Sequence, residues 1–199
     1  MLSTRVWIVA FLTLLAAAQT PVWAQDLDAK MEEQYNAIAL ARTKAELALR
    51  KARMAQDHND AAWRVASSGA DAAYQKLEKS LDRKIEEEQG KDDARDDEKL
   101  KLLNEKKDTV QAEWQKFADV DRPALETRYH SANDMTNALN DLLNNLSNLE
   151  HAWKDTGMDL GLIEKAYMSL AQRAEGCQQA AQKALGELQA VQASWEKRS

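Results

Sequence analysis

The sequence predicts an all-α protein, an antiparallel coiled coil or helical bundle. Three helices gather near the termini and a two-helix hairpin arm extends beyond them. Three observations predict this. Past residue 24 the chain is rich in Ala, Leu, Glu, Lys and Gln, with few β-branched residues and a single proline, Pro123. From Ile163 to Trp195, apolar or small residues recur in alternating steps of four and three, the seam of a coiled-coil helix that requires a partner. Two further seams, earlier in the chain, pair with it and with each other when the chain is folded about two turns. The alternative architecture is a compact four- or five-helix bundle in which residues 57–60 and 119–123 are turns.

Residues 1–24 read as a secretory signal peptide. Arg5 supplies the positive charge, Val6 to Ala18 the apolar run, and Val22-Trp23-Ala24 the small-residue cleavage site. Cleavage is expected after Ala24, which places the protein in the periplasm or outside the cell. Removing 24 of the 199 residues leaves 175. Arg5 is the only charge lost, so the formal charge moves from −6 to −7. An acidic chain argues against nucleic acid and anionic membrane surfaces as partners. Nothing after residue 24 is apolar for long enough to span a bilayer, so no stable membrane insertion is expected once the signal is removed.

Residues 25–199 read as one helical domain. The first seam runs Leu27, Met31, Tyr35, Ile38, Arg42, Ala45, Leu49, Ala52, Gln56, Asn59, Trp63, Ala66, Ala70, Ala73, Leu77. It keeps phase through the polar patch Asp57-His58-Asn59-Asp60, which favours one helix to about residue 89. Asp60 as a cap would instead break it there. Residues 82–99 are almost solid charge, with only Ile85 and Ala94 apolar, and are expected to stay out of any core as a hairpin tip. Gly90 offers the C-cap and Asp92 or Asp93 the next N-cap.

Folding about Gly90 sets Trp63 opposite Phe117, Ala66 opposite Trp114, Ala70 opposite Val110 and Leu77 opposite Leu103. Residues 119–123 interrupt the second helix, because Pro123 disfavours helical geometry at Arg122. The seam resumes through Leu125, Tyr129, Ala132, Met135, Leu139, Leu142, Leu146, Leu149 and Trp153. Thr156-Gly157 forms the second turn, with Asp159 or Thr156 starting the last helix. Folding there sets Leu146 opposite Tyr167, Leu142 opposite Leu170, Met135 opposite Cys177 and Leu125 opposite Leu188. Residues 25–63 and 119–199 are thereby the three-helix bundle and 64–118 the arm. Trp63, Trp114, Phe117 and Trp195 are expected at one level, as a plug where three helices become two or as an aromatic ligand site.

No residue is assigned a catalytic, cofactor-binding or metal-ligating role. Glu126, His130 and Asp134 lie four apart on one helical face, and His151 and Asp155 repeat the spacing. The facing helix offers only Gln and Ala, so the zinc ligand set is incomplete. Asn133, Asn137, Asn140, Asn144 and Asn148 form a polar stripe, as do Gln178, Gln182, Gln189 and Gln192, and both read as solvated flanks. Asn145 opens a glycosylation sequon whose Leu146 is a seam residue. The lone Cys177 excludes an internal disulfide and is expected buried in the seam. There is no nucleophile constellation or phosphate loop.

The reading is therefore a non-enzymatic exported coiled-coil protein, without a cofactor. It acts as an adaptor, scaffold or holdase-like binder of a protein partner in the cell envelope, with homo-oligomers possible through helix flanks. The second reading is a bundle that binds a metal or small ligand in its core.

Overall fold

The computed structural model describes residues 22–91, 96–156 and 159–198, with side chains from residue 29 onward except 154–156. Most of the expected signal peptide, residues 1–21, lies outside the described residues, as do Asp92, Asp93, Ala94 and Gly157. The described chain is an all-α bundle. Helix α1 is Val22–Gln89, α2 is Asp97–Lys116, α3 is Arg122–Thr156 and α4 is Leu160–Arg198. A single π turn, Phe117–Asp121, joins α2 to α3 into one rod.

At 1.5 Å per residue, the 68-residue α1 is roughly 100 Å long. It passes through Asp57–Asp60 without a break. The polar patch is used across the bundle rather than as a cap. The Tyr129 hydroxyl and the Asn133 amide both donate to the Asp60 carboxylate. These bonds give the patch a tertiary role, and burial of Tyr129, then its hydrogen bond to Asp60, pushes that phenol up to about 12.

The proline expectation is corrected. Arg122 keeps helical geometry, with φ −61° and ψ −52°. Pro123 lacks an N–H and its ring would collide with the carbonyl four residues back. The helix widens by one residue instead of breaking, and the Arg122 N–H bonds to the Phe117 carbonyl.

Three clusters make the core. Near the termini, Ile38, Ala45 and Leu49 of α1 meet Leu139 and Leu146 of α3 and Ile163, Tyr167, Leu170 and Ala174 of α4. In the middle, Trp63, Ala66 and Ala70 meet Phe117, Leu125, Tyr129, Ala184 and Leu188. Beyond these, Ala73, Tyr74, Leu77 and Leu81 meet Val110 and Trp195. The seams of α1 from Ile38 to Leu77 and of α4 from Ile163 to Trp195 are inside, apart from the half-buried Arg42, Gln56, Cys177 and Val191.

The α3 seam differs. Met135, Leu142 and Leu149 are exposed, as are Met31 and Tyr35 near the start of α1. Thr136, Leu143 and Glu150 face inward in place of the three α3 residues. Buried Glu150 is held by the Tyr167 hydroxyl at 2.8 Å and by one Arg42 nitrogen at 3.1 and 3.2 Å from its two oxygens. This explains a charged residue at the Arg42 seam position. A buried network of this kind fixes register more than it adds stability.

The hairpin register also differs. Folding about Gly90 would set Tyr74 level with Lys106, yet Tyr74 stacks on Trp114. Trp63, expected opposite Phe117, stacks on Tyr129 at 4.5 Å. The cause is the tip. Helix α2 starts only at Asp97, capped by the Asp96 carboxylate, which accepts from the Lys99 N–H at 3.0 Å. The turn is longer than a fold centred on Gly90 allows. At the other end, Asp159 opens α4 as expected, accepting from the Gly161 N–H at 2.8 Å.

Candidate functional site

The expected aromatic group spans two clusters that Phe117 and Trp114 join. Trp63 belongs with Tyr129 in the middle cluster. Trp114 and Trp195 belong with Tyr74, a residue the seam reading passed over. Tyr74 and Trp114 are parallel, 4.3 Å apart, and Trp195 presents its edge to both at 5.8 and 6.1 Å. Phe117 tilts against Trp114 at 5.5 Å. Burial, then the hydrogen bond to the Glu78 carboxylate, raises the Tyr74 phenol to about 12.

This collar closes around the base of the arm. The Arg122 guanidinium lies over Trp114 and Phe117 at 5.3 and 5.0 Å and pairs with Asp71 of α1. Its Nε is buried with no hydrogen-bond acceptor among the described residues, so the ring faces stabilise that side of the cation. Arg198 covers Trp195 at 4.7 Å and pairs with Glu113. The Gln192 amide of α4 lies over Gly69, where a Cβ would stand 2.5 Å from it. Because α4 reaches Tyr74, the stretch where only two helices pair starts beyond that residue rather than at residue 64.

The arm beyond the collar is a narrow pair. Leu77, Leu81, Ile85 and Val110 are buried between α1 and α2. Gln111 donates to Glu78 at 3.1 Å and Lys107 pairs with Asp82, which raises the lysine's pKa. The outer faces are polar and charged, with Leu102 exposed among them.

At the tip the structure corrects the expectation that residues 82–99 stay out of any core. Ile85 is buried, and Glu88 is 2% exposed. The Glu88 carboxylate accepts from Lys91 and Lys99 at 2.8 Å each and from the Asp96 N–H at 3.1 Å. One carboxylate thus ties the end of α1 to the start of α2. Hydrogen bonds from the two ammonium groups, then from the Asp96 N–H, hold its pKa down to about 2. A lowered carboxylate pKa stabilises the fold above the ordinary value and is lost as pH falls toward 2. Acidification from pH ~4.5 to ~2 should therefore open this clasp. The Glu88 side-chain carboxyl carbon, followed by 13C NMR, should titrate with its midpoint near pH 2 rather than ~4.5.

The other sequence candidates do not converge. His130 and Asp134 are exposed and Glu126 is half-buried, with His130 edge-on to Tyr129. Among the described residues no group of three or more His, Cys, Asp or Glu is placed to hold a metal ion. The side chain of Asp155 lies outside the described residues. Of the Asn stripe only Asn133 is buried. Asn145 is exposed on a helix whose next residue, Leu146, is core. Cys177 is half-buried, not fully enclosed, and lines a surface groove between α3 and α4 with Met135, Arg173 and Lys183. No helix among the described residues is long and apolar enough to cross a membrane. No known protein family, curated protein or solved structure matches this chain.

Proposed function

We propose that the chain is an exported, non-enzymatic adaptor or holdase-like binder of the cell envelope, and that it engages a protein partner through its hairpin arm. The observation that carries this is the contrast between the two ends. Near the termini three helices share one core, with Met135, Leu142 and Leu149 left exposed on its flank. The arm beyond Tyr74 buries one apolar strip and turns its remaining charged surface, with exposed Leu102, outward. Segments with few buried contacts are those that open and engage partners most readily. Charge at the tip suits a contact that weakens with salt. The signal-peptide pattern of residues 1–24 supports export.

The test is site-specific photocrosslinking in the native host. A crosslinker at Leu102 should give discrete protein adducts that fade as salt is raised. One at Leu162, exposed on the bundle half, should not. Replacing residues 84–97 with a short glycine-containing turn should abolish the adducts while the bundle stays folded. Adducts at Leu162 but not at Leu102 would move the binding surface off the arm.

A further inference from the structure

Helices α3 and α4 leave between them a surface groove of about 580 Å³, inside the roughly 300–1,000 Å³ range of small-ligand clefts. Its apolar and small lining is Ala132 and Met135 of α3 with Gly176, Cys177 and Ala180 of α4. Arg128, Arg173 and Lys183 also line it and no carboxylate does, in a chain whose formal charge is −6. The aliphatic stems of these cations add to the apolar lining. The two ends of the groove differ in charge balance. At one end Arg128 is paired with Glu187, and Lys183 is a neighbour of that same Glu187 one helical turn away. At the other end Arg173 has no carboxylate partner among the described residues. Its Nη2 donates across the groove to the Met135 sulfur at 3.5 Å, a weak acceptor. The residues one turn from Arg173 on α4 are Ser169, Leu170, Gly176 and Cys177, none of them acidic.

We propose that this groove binds a free fatty acid, with its carboxylate on Arg173 and its alkyl chain over Met135, Ala132, Cys177 and Ala180 toward Lys183. Charge selects the head group. A planar guanidinium takes a carboxylate through two parallel, charge-assisted hydrogen bonds, which the Met135 sulfur cannot match. The lining selects the chain. Arg173 to Lys183 spans roughly 15 Å of α4 at 1.5 Å per residue, under three helical turns. A partner helix needs large anchors seated over several turns, and Met135 is the only large apolar side chain along the groove. A slender alkyl chain of laurate size fits between the small residues. The acidic chain as a whole is repelled by anionic bilayers, so the acid is taken up as a monomer.

Isothermal titration calorimetry of the purified chain with monomeric laurate tests this, beside dodecyltrimethylammonium as a cation of the same chain length. Laurate should fill one site and the cation should bind at least ~10-fold more weakly. Saturating laurate should slow the labelling of Cys177 by a neutral thiol reagent. Arg173→Gln should weaken laurate ~10-fold. Gly176→Leu should abolish binding by filling the groove. The melting temperature of its unliganded form should not fall, because a Cβ at Gly176 meets nothing within 4 Å. Equal binding of the cation, unchanged Cys177 labelling under laurate, or undiminished affinity in either variant would overturn the proposal. So would protection of Cys177 by phosphatidylglycerol vesicles, or by an acidic amphipathic peptide, where laurate gives none. The arm reading does not depend on it.

Discussion

Leu170→Asp is expected to cost about 3–5 kcal/mol, a large fraction of the stability of an ordinary domain. Leu170 is 1% exposed, in a cluster contributed by α1, α3 and α4. Arg42, the cation that reaches this layer, is already held by Glu150, so the new carboxylate would be both desolvated and unpaired. The control is Leu142→Asp. Leu142 was expected to face Leu170 in the seam, but it is 38% exposed, so its carboxylate can reach water and the cost should stay near 1 kcal/mol. Urea denaturation of both variants decides the matter. Equal losses would show that α3 presents its Leu142 face to the core after all.

Trp195→Ala should be the most damaging change outside the bundle centre, at about 3–5 kcal/mol. Trp195 is buried near the end of α4 and touches the collar through Tyr74 and Trp114. Removing it leaves a cavity against those rings. It also strips Arg198 of the ring it covers and weakens the seating of the last turns of α4. The effect should be local in space, with the arm base and the end of α4 loosening while the cluster around Leu139 and Leu170 keeps its packing.

The seams of α1 and α4 were legible because a four-three alternation leaves one face for the core and both helices keep it without a break. On α3 apolarity favours Met135 over Thr136 and Leu149 over Glu150, and Leu142 rather than Leu143 keeps step with them. That choice takes two consecutive steps of three, from Tyr129 through Ala132 to Met135. The unbroken alternation, Leu125, Tyr129, Ala132, Thr136, Leu139, Leu143, Leu146, Glu150, Trp153, is the one the structure uses. Glu150 is tolerated inside only because Arg42 and Tyr167 reach it, a relation between distant residues that a local pattern does not carry.

The hairpin itself was legible from the run of charge, but its register was not. Asp92, Asp93, Asp96 and Asp97 can all cap a helix. Each residue by which the turn centre moves displaces every opposed pair by two. For the same reason Tyr74 was missed as the partner of Trp114. In the sequence Pro123 reads as a break because proline usually ends a helix. The π turn with Arg122 packed on two rings is a tertiary solution.

Native-state hydrogen exchange on the wild type, with Trp195→Ala beside it, tests the central claim of a firm three-helix half carrying a weaker two-helix arm. In the wild type, exchange should be fast at Gly90, intermediate along Leu77–Ile85 and Leu103–Val110, and slow from Leu139 to Leu146 and from Tyr167 to Ala181. In Trp195→Ala the arm base should approach the rate of the tip while the slow segments remain the slowest. An arm that exchanges as slowly as the Leu139–Leu146 segment in the wild type, or that fails to respond to loss of Trp195, would contradict it.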